Sequence, residues 1–208
     1  MIIKSKYKIA RRVGAPIFEK TQTQKFAMRS EKKGSAVGAG AKGKKGGRQK
    51  SEFGLQMIEK QKARFTYILS ERQFSNYVKK AIANKTNTVA TLFSLLERRL
   101  DNTVYRLGFA PTRAAAKQLV SHGHINVNGK RVSIRSYQVS LGEVVGIREN
   151  SKAKTIFVNL DQALKDREAP IWLKRDEAKR EGTVVSLPDI SKSETMFDLN
   201  TVVEFYNR

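Results

Sequence analysis

Val89, Leu92, Phe93, Leu96, Leu100, Val104 and Leu107 recur at three- and four-residue steps. That spacing lines one face of an α-helix, and a face this long has to be buried against something. Gly108 supplies a C-terminal stop, with Pro111 just beyond it. Thr112 suits the N-cap of a shorter helix whose Ala115, Ala116, Leu119 and Val120 face inward, and Gly123 ends it. In "HINVNGKRVSI", Ile125 and Val127 alternate with Asn126 and Asn128. The Asn128–Gly129 pair suits a type I′ turn, with Val132 and Ile134 alternating on the return. "EVVGI" and "TIFV" offer two more strands. Residues 96–158 therefore read as two helices packed on a small β-sheet, and the fold class as α+β.

The flanks differ from this module. Residues 51–95 read as a helical domain, with Phe74, Tyr77, Val78, Ala81 and Ile82 on one helix face. Residues 1–50 have little periodicity and many Gly, Lys and Arg residues. They are expected to form an extended basic segment that orders only on a partner, since so little apolar surface does not offset the backbone entropy. Residues 159–208 hold a short helix at about 159–168, "APIWL", and the strand-like "TVVEFY".

Charge narrows the partner. Lys and Arg number 41 against 19 Asp and Glu, a net charge of +22. Residues 1–50 carry +13, residues 51–95 +4, residues 96–150 +5, and residues 151–208 balance to zero. A field polarised in this way favours a polyanion, most economically a nucleic-acid backbone. There is no Cys, which removes disulfides, thiolate metal sites and Cys nucleophiles together. No stretch approaches a membrane span.

Candidate chemistry is thin. "VGAGAKGKKGGRQK" (37–50) fits G-x-G-x-x-G through Gly38, Gly40 and Gly43, and nearly fits a P-loop through Gly38, Gly43 and Lys44. It lacks the preceding strand, the hydroxyl that would bind Mg²⁺ (Lys45 stands there) and a downstream acidic ribose ligand. The loop is read instead as tracking RNA phosphates, with Lys42, Lys44, Lys45, Arg48 and Lys50 supplying charge. His122 and His124 flank one Gly without a nearby carboxylate, so no metal is expected, nor any cofactor. Glu97 and Asp101 could imitate an acid/base pair, but Arg98 and Arg99 beside them favour structural ion pairs. Arg113 and Lys117 lie i, i+4 on the second short helix, with Ser121 a turn further on; Lys130 and Arg131 sit at the hairpin turn. Such a surface suits phosphate and 2′-hydroxyl contacts on a folded RNA.

"LERRLDNTVYRLGFAPTRAAAKQLVSHGHINVNGKRVSIRSYQV" (96–139) closely resembles the RNA-binding module of bacterial-type small-subunit ribosomal protein four. That module alone is shared with RNA-modifying enzymes and a class of tRNA synthetases. The rest of the chain decides: "KIARRVG" (8–14), "EKQKARFTYILSERQFSNYVKKA" (59–81), "WLKRDEAKREGT" (172–183) and "VVEFYNR" (202–208) look like other parts of the same family, in order. A pseudouridine synthase would need a large catalytic domain with an Asp nucleophile, and residues 159–208 leave no room for one.

The resemblance implies a helical domain interrupted by the inserted module, with the C-terminal tail packing back on the helices. It implies a non-enzymatic, ribosome-bound cytoplasmic protein whose N-terminus belongs to the mature chain. It also implies direct binding to the 5′ domain of small-subunit ribosomal RNA, early in assembly. Neighbouring ribosomal proteins, notably number five, are implied as partners, and messenger RNA near the channel by which it enters. By the same comparison, Lys8, Arg11, Arg12, Lys60, Lys62, Arg64, Arg72 and Tyr77 lie on the RNA side of the first domain, and Arg113, Lys117, His122 and Lys130 on that of the module. Many relatives carry four zinc-binding cysteines near the N-terminus. This chain has none, so order in that segment is expected to come from RNA.

Overall fold

The computed structural model describes residues 3, 5–28, 51–84, 87–158, 160, 164, 168–192 and 195–207. Helices and one small antiparallel sheet make up the fold, and the chain divides into two compact units. One comprises Met1–Val78 with Glu194–Arg208, the other Lys79–Ser193.

In the first unit, α1 (Lys6–Val13) ends on Gly14, whose φ of 70° permits the left-handed cap. Its Ala10 and Val13 join Ile17 and Phe18 in a core against which Phe26, Ile58 and Phe65 pack. The expectation that residues 1–50 order only on a partner is thus corrected for residues 5–28. Ala10, Val13, Ile17 and Phe18 are shared between a helix and a turn, too short a run to show a period, yet these four are buried while Tyr7 and Met28 stay exposed. Helix α2 (Glu52–Thr66) starts at Ser51, whose hydroxyl accepts from the Gly54 N–H at 3.3 Å. Of the face that spacing predicts on helix α3 (Glu71–Ala83), Phe74, Val78 and Ala81 are buried, Tyr77 is half-buried and Ile82 is exposed.

Strand-like "TVVEFY" is instead helical. The Asp198 carboxylate accepts from the Asn200 N–H at 2.8 Å and starts a terminal helix at Leu199–Tyr206. Val202 and Val203 bury one face, Phe205 lies 5.4 Å from Phe53, and Tyr206 lies 6.3 Å from Phe74. Capping and packing on α2 override the β-propensity of two valines and two aromatics.

In the second unit, the long apolar stripe is broken into α4 (Thr88–Glu97) and α5 (Leu100–Arg106). The cause is a crossing segment. The Leu100 N–H donates to the Tyr137 carbonyl at 2.8 Å, and the Val139 N–H to the Arg98 carbonyl at 2.9 Å. Arg99 is consequently extended, bridged to Gln138, and the next turn starts afresh. Helix α6 (Arg113–Ser121) opens on Thr112, whose hydroxyl accepts from the Ala115 N–H at 3.1 Å. Both α5 and α6 close as predicted, through Gly108 (φ 85°) and Gly123 (φ 71°).

Five strands follow in the order β2-β1-β3-β5-β4, all antiparallel: β1 (Ile125–Val127), β2 (Lys130–Arg131), β3 (Val144–Ile147), β4 (Leu173–Asp176) and β5 (Glu181–Val184). Asn128 and Gly129 both have positive φ, 49° and 76°, as a type I′ turn requires. The return strand is shorter than expected, and Ile134 is exposed. "TIFV" does not extend the sheet: Thr155–Phe157 is a 3₁₀ turn. Both edges of β3 are already occupied, by β1 and β5, so no ladder position beside it is open. The sheet packs close to α5. A Cβ on Gly182 would stand 2.2 Å from a Leu107 methyl. Leu100, Val104, Leu107, Leu119 and Val120 share this core with Ile125, Val145, Trp172 and Val184. No helix among the described residues is long and apolar enough to cross a membrane.

Candidate nucleic-acid interface

The sequence puts Arg113 and Lys117 on one edge of α6; the structure shows what that edge meets. Asp101 and Asn102, adjacent on α5, each take one of the two cations. Asp101 is gripped by Arg99, through Nε to Oδ1 at 3.0 Å and Nη2 to Oδ2 at 2.9 Å, and the Lys117 ammonium stands 3.8 Å from Oδ2. Asn102 Oδ1 accepts from Arg113 Nε at 2.9 Å, and the guanidinium lies over the Tyr105 ring at 4.3 Å from its centroid. The Asn102 amide nitrogen donates to the Glu97 carboxylate at 3.0 Å, and Arg106 binds that carboxylate at 2.8 and 2.9 Å. Glu97 and Asp101 are both buried, and both have cationic partners of their own. These are structural ion pairs, as the neighbouring arginines suggested.

Lys117 is therefore an inward-set cation, only 9% exposed. Burial pushes its ammonium down to about 8; Asp101 pulls upward, while Arg99 and Arg135 push further down. The unfolded chain, with an ordinary lysine, then holds more protons between pH 8 and 10.5, so stability rises with pH across that window. We expect Lys117→Met to flatten that rise between pH 8 and 9.5. Removing the burial penalty should raise the urea midpoint at pH 7 relative to the wild-type chain, because Asp101 keeps Arg99. Parallel midpoint–pH curves for the two proteins would refute this.

The hairpin end presents a second basic group. Arg131 lies across Gly123, where a Cβ would stand 2.1 Å from its Nε. Lys130, Ser121 and His122 are exposed. The His122 ring lies 6.1 Å from that of His124, which is buried with Nδ1 3.0 Å from Ser151 Oγ. Burial holds His124 below the usual histidine range, and Lys154, His122, Arg131 and Arg148 press it further down. Arg148 and Lys154, which no sequence pattern links to the hairpin, lie near enough to His124 to shift it. The turn Glu149–Lys152 brings them in, with the Arg148 N–H donating to the His124 carbonyl at 2.9 Å. Arg135, in the crossing segment, is likewise near enough to Lys117 to shift it.

In the first unit, Lys8, Arg11 and Arg12 are exposed on α1 and border an open groove of about 1450 Å³ that also has Tyr7 and Phe26 on its wall. Arg72 is exposed and Tyr77 half-buried on α3. Lys60, Lys62 and Arg64 are placed otherwise. Lys60 is 8% exposed, with its ammonium 2.8 Å from Glu71 Oε1 and 4.5 Å from the centre of the Phe205 ring. Lys62 pairs with Glu59 at 2.6 Å, and Arg64 lies over Phe65, 3.6 Å from Glu71. Lys42, Lys44, Lys45, Arg48 and Lys50 lie outside the described residues. Among the described residues no three His, Asp or Glu side chains converge as a metal site.

Family comparison divides the chain at the break between α4 and α5, within the second compact unit. Residues 98–145 match the model of the S4 domain, and residues 2–97 that of the ribosomal protein S4/S9 N-terminal domain. The small ribosomal subunit protein uS4 of Chloroflexus aurantiacus is 45% identical over 203 residues, covering 97% of this chain and 96% of the relative. That of Acinetobacter baumannii is 41% identical over 203 residues, 98% and 97% of the two chains. That of a Roseiflexus species is 50% identical over 163 residues, 77% and 79%.

Proposed function

The chain belongs to the family of small ribosomal subunit protein uS4, and from that premise we propose that it binds small-subunit ribosomal RNA directly and nucleates assembly of the RNA's 5′ domain. The family is one of ribosomal proteins, structural and not enzymatic, with an RNA-binding S4 domain. In this reading the protein is a ribosome-bound component of the cytoplasm that helps line the channel through which messenger RNA enters. Small-subunit ribosomal protein five is its neighbour. Its chain is organised as a basic segment (1–50), a helical domain (51–95), the inserted module (96–158) and a returning C-terminal region (159–208).

One observation carries the reading. The residues that match the S4 domain are those in which α5, α6 and the β1–β2 hairpin gather Arg113, Lys117, His122, Lys130 and Arg131. His122, Lys130 and Arg131 are exposed, Arg113 is half-buried and Lys117 is set inward; the outward members, on a buried apolar base, suit phosphate contacts on a structured RNA. Lys8, Arg11, Arg12, Arg72 and Tyr77 supply a contact of the first unit's own in this reading.

The test is binding to a transcript of the 5′ domain against an equal mass of tRNA, followed by reconstitution of small-subunit particles with and without the protein. Preference for the 5′ domain, and particles that stall when the protein is omitted, are expected. Equal affinity for tRNA, or normal assembly without the protein, would refute the proposal.

A further inference from the structure

We propose that Asn102 is a positioning residue for RNA binding, fixing the Arg113 guanidinium in the pose that receives an RNA phosphate; this rests on the reading that α6 faces RNA. Asn102 is 3% exposed, and its amide is fixed at both ends. The nitrogen has to face the Glu97 carboxylate, which only accepts, so the oxygen faces Arg113 Nε, which only donates. Glu97 is itself held by both Arg106 contacts and cannot turn away. The Tyr105 ring then sets the plane of the guanidinium.

The consequence is entropic. A free arginine on a helix surface samples many rotamers, and ordering such a side chain at an interface costs roughly 0.5–1.5 kcal/mol, a factor of about 2 to 12 in affinity. Here the relay Arg106–Glu97–Asn102 has ordered Arg113 before RNA arrives. Because Arg113 is the first residue of α6, the fork also stands at a helix N-terminus, where the backbone dipole adds to its attraction for an anion.

A double-mutant cycle tests this, using the full-length protein and the 5′-domain transcript. Asn102→Ala should weaken binding roughly 2- to 12-fold while leaving the salt slope unchanged, since no cation is lost. Arg113→Ala should weaken binding and reduce the magnitude of the slope by about 0.7–0.9. Adding Asn102→Ala to Arg113→Ala should then cost nothing further. A residue with a merely structural role would give the same fold loss in both backgrounds, and that result would overturn the proposal. So would an unchanged affinity for Arg113→Ala while the wild-type chain binds. Failure of the wild-type chain to bind would instead count against the functional reading beneath it. Should Asn102→Ala unfold the protein, Tyr105→Leu removes the platform and leaves the Glu97–Asn102 bond intact. It should show the same dependence on Arg113, and equal losses in both backgrounds would again refute the idea.

Discussion

Replacing Glu97 with alanine is expected to lower the unfolding free energy by about 3–5 kcal/mol, the range for stripping one partner from a buried ion pair. Glu97 is 1% exposed and accepts three hydrogen bonds on its carboxylate, two from Arg106 and one from Asn102. Without it, the Asn102 amide nitrogen keeps only the residue-97 carbonyl, at 3.1 Å, of its two acceptors at this residue, and the Arg106 guanidinium loses both carboxylate contacts. The Arg106 side chain is 28% exposed, so it can turn partly to water, which favours the lower end of the range. Glu97→Gln keeps the shape and one acceptor oxygen, and should lose less than the alanine variant. Urea unfolding at pH 7 measures both. A loss below about 1 kcal/mol for Glu97→Ala, the worth of one ordinary hydrogen bond, would show that the network is not what holds α4 to α5.

How far the sequence alone reaches is clear from where Glu97 sits. Periodicity runs straight through Arg98 and Arg99, because Leu96, Leu100 and Val104 keep to helical spacing. The break comes from residues forty positions away, whose backbone takes the donors and acceptors that a continuous helix would use. No local pattern reports that. Signals carried by one or two residues fared better: Asn128–Gly129 turned as expected, and Gly108 and Gly123 closed their helices, because positive φ is a local demand. "TVVEFY" was misread for the opposite reason, since its cap, Asp198, lies outside the quoted run and its partner α2 is remote.

Charge was legible only as a sum. Basic residues at RNA-compatible positions cannot be told apart by spacing when some are exposed, like Arg72 and Lys130, and others are held within the protein, like Lys60 and Lys117. What marks out Lys60 and Lys117 is a carboxylate set beside each of them. Lys60 has Glu71 and Phe205, and Lys117 has Asp101.

That sorting gives the second large effect. RNA affinity should fall steeply with salt, because each phosphate neutralised releases counterions and adds roughly 0.7–0.9 to the magnitude of the log–log slope. Lys8, Arg11, Arg12, Arg72, Arg113, Lys130 and Arg131 are the exposed or half-buried arginines and lysines of the proposed interface. Seven phosphates give a slope of about −5 to −6, so raising salt from about 50 to 200 mM should weaken binding by roughly three decades or more. Individual residues sharpen the prediction. Arg131→Ala, at the hairpin turn, should reduce the slope by the share of one phosphate. Lys60→Met should leave the slope unchanged and appear only in stability, since its charge is already committed to Glu71 beneath Phe205. Fluorescence anisotropy with the 5′-domain transcript at four or five salt concentrations reads all three proteins. If Lys60→Met flattened the slope as much as Arg131→Ala, Lys60 would have to leave Glu71 to meet RNA, and exposure in the free protein would be a poor guide to the interface.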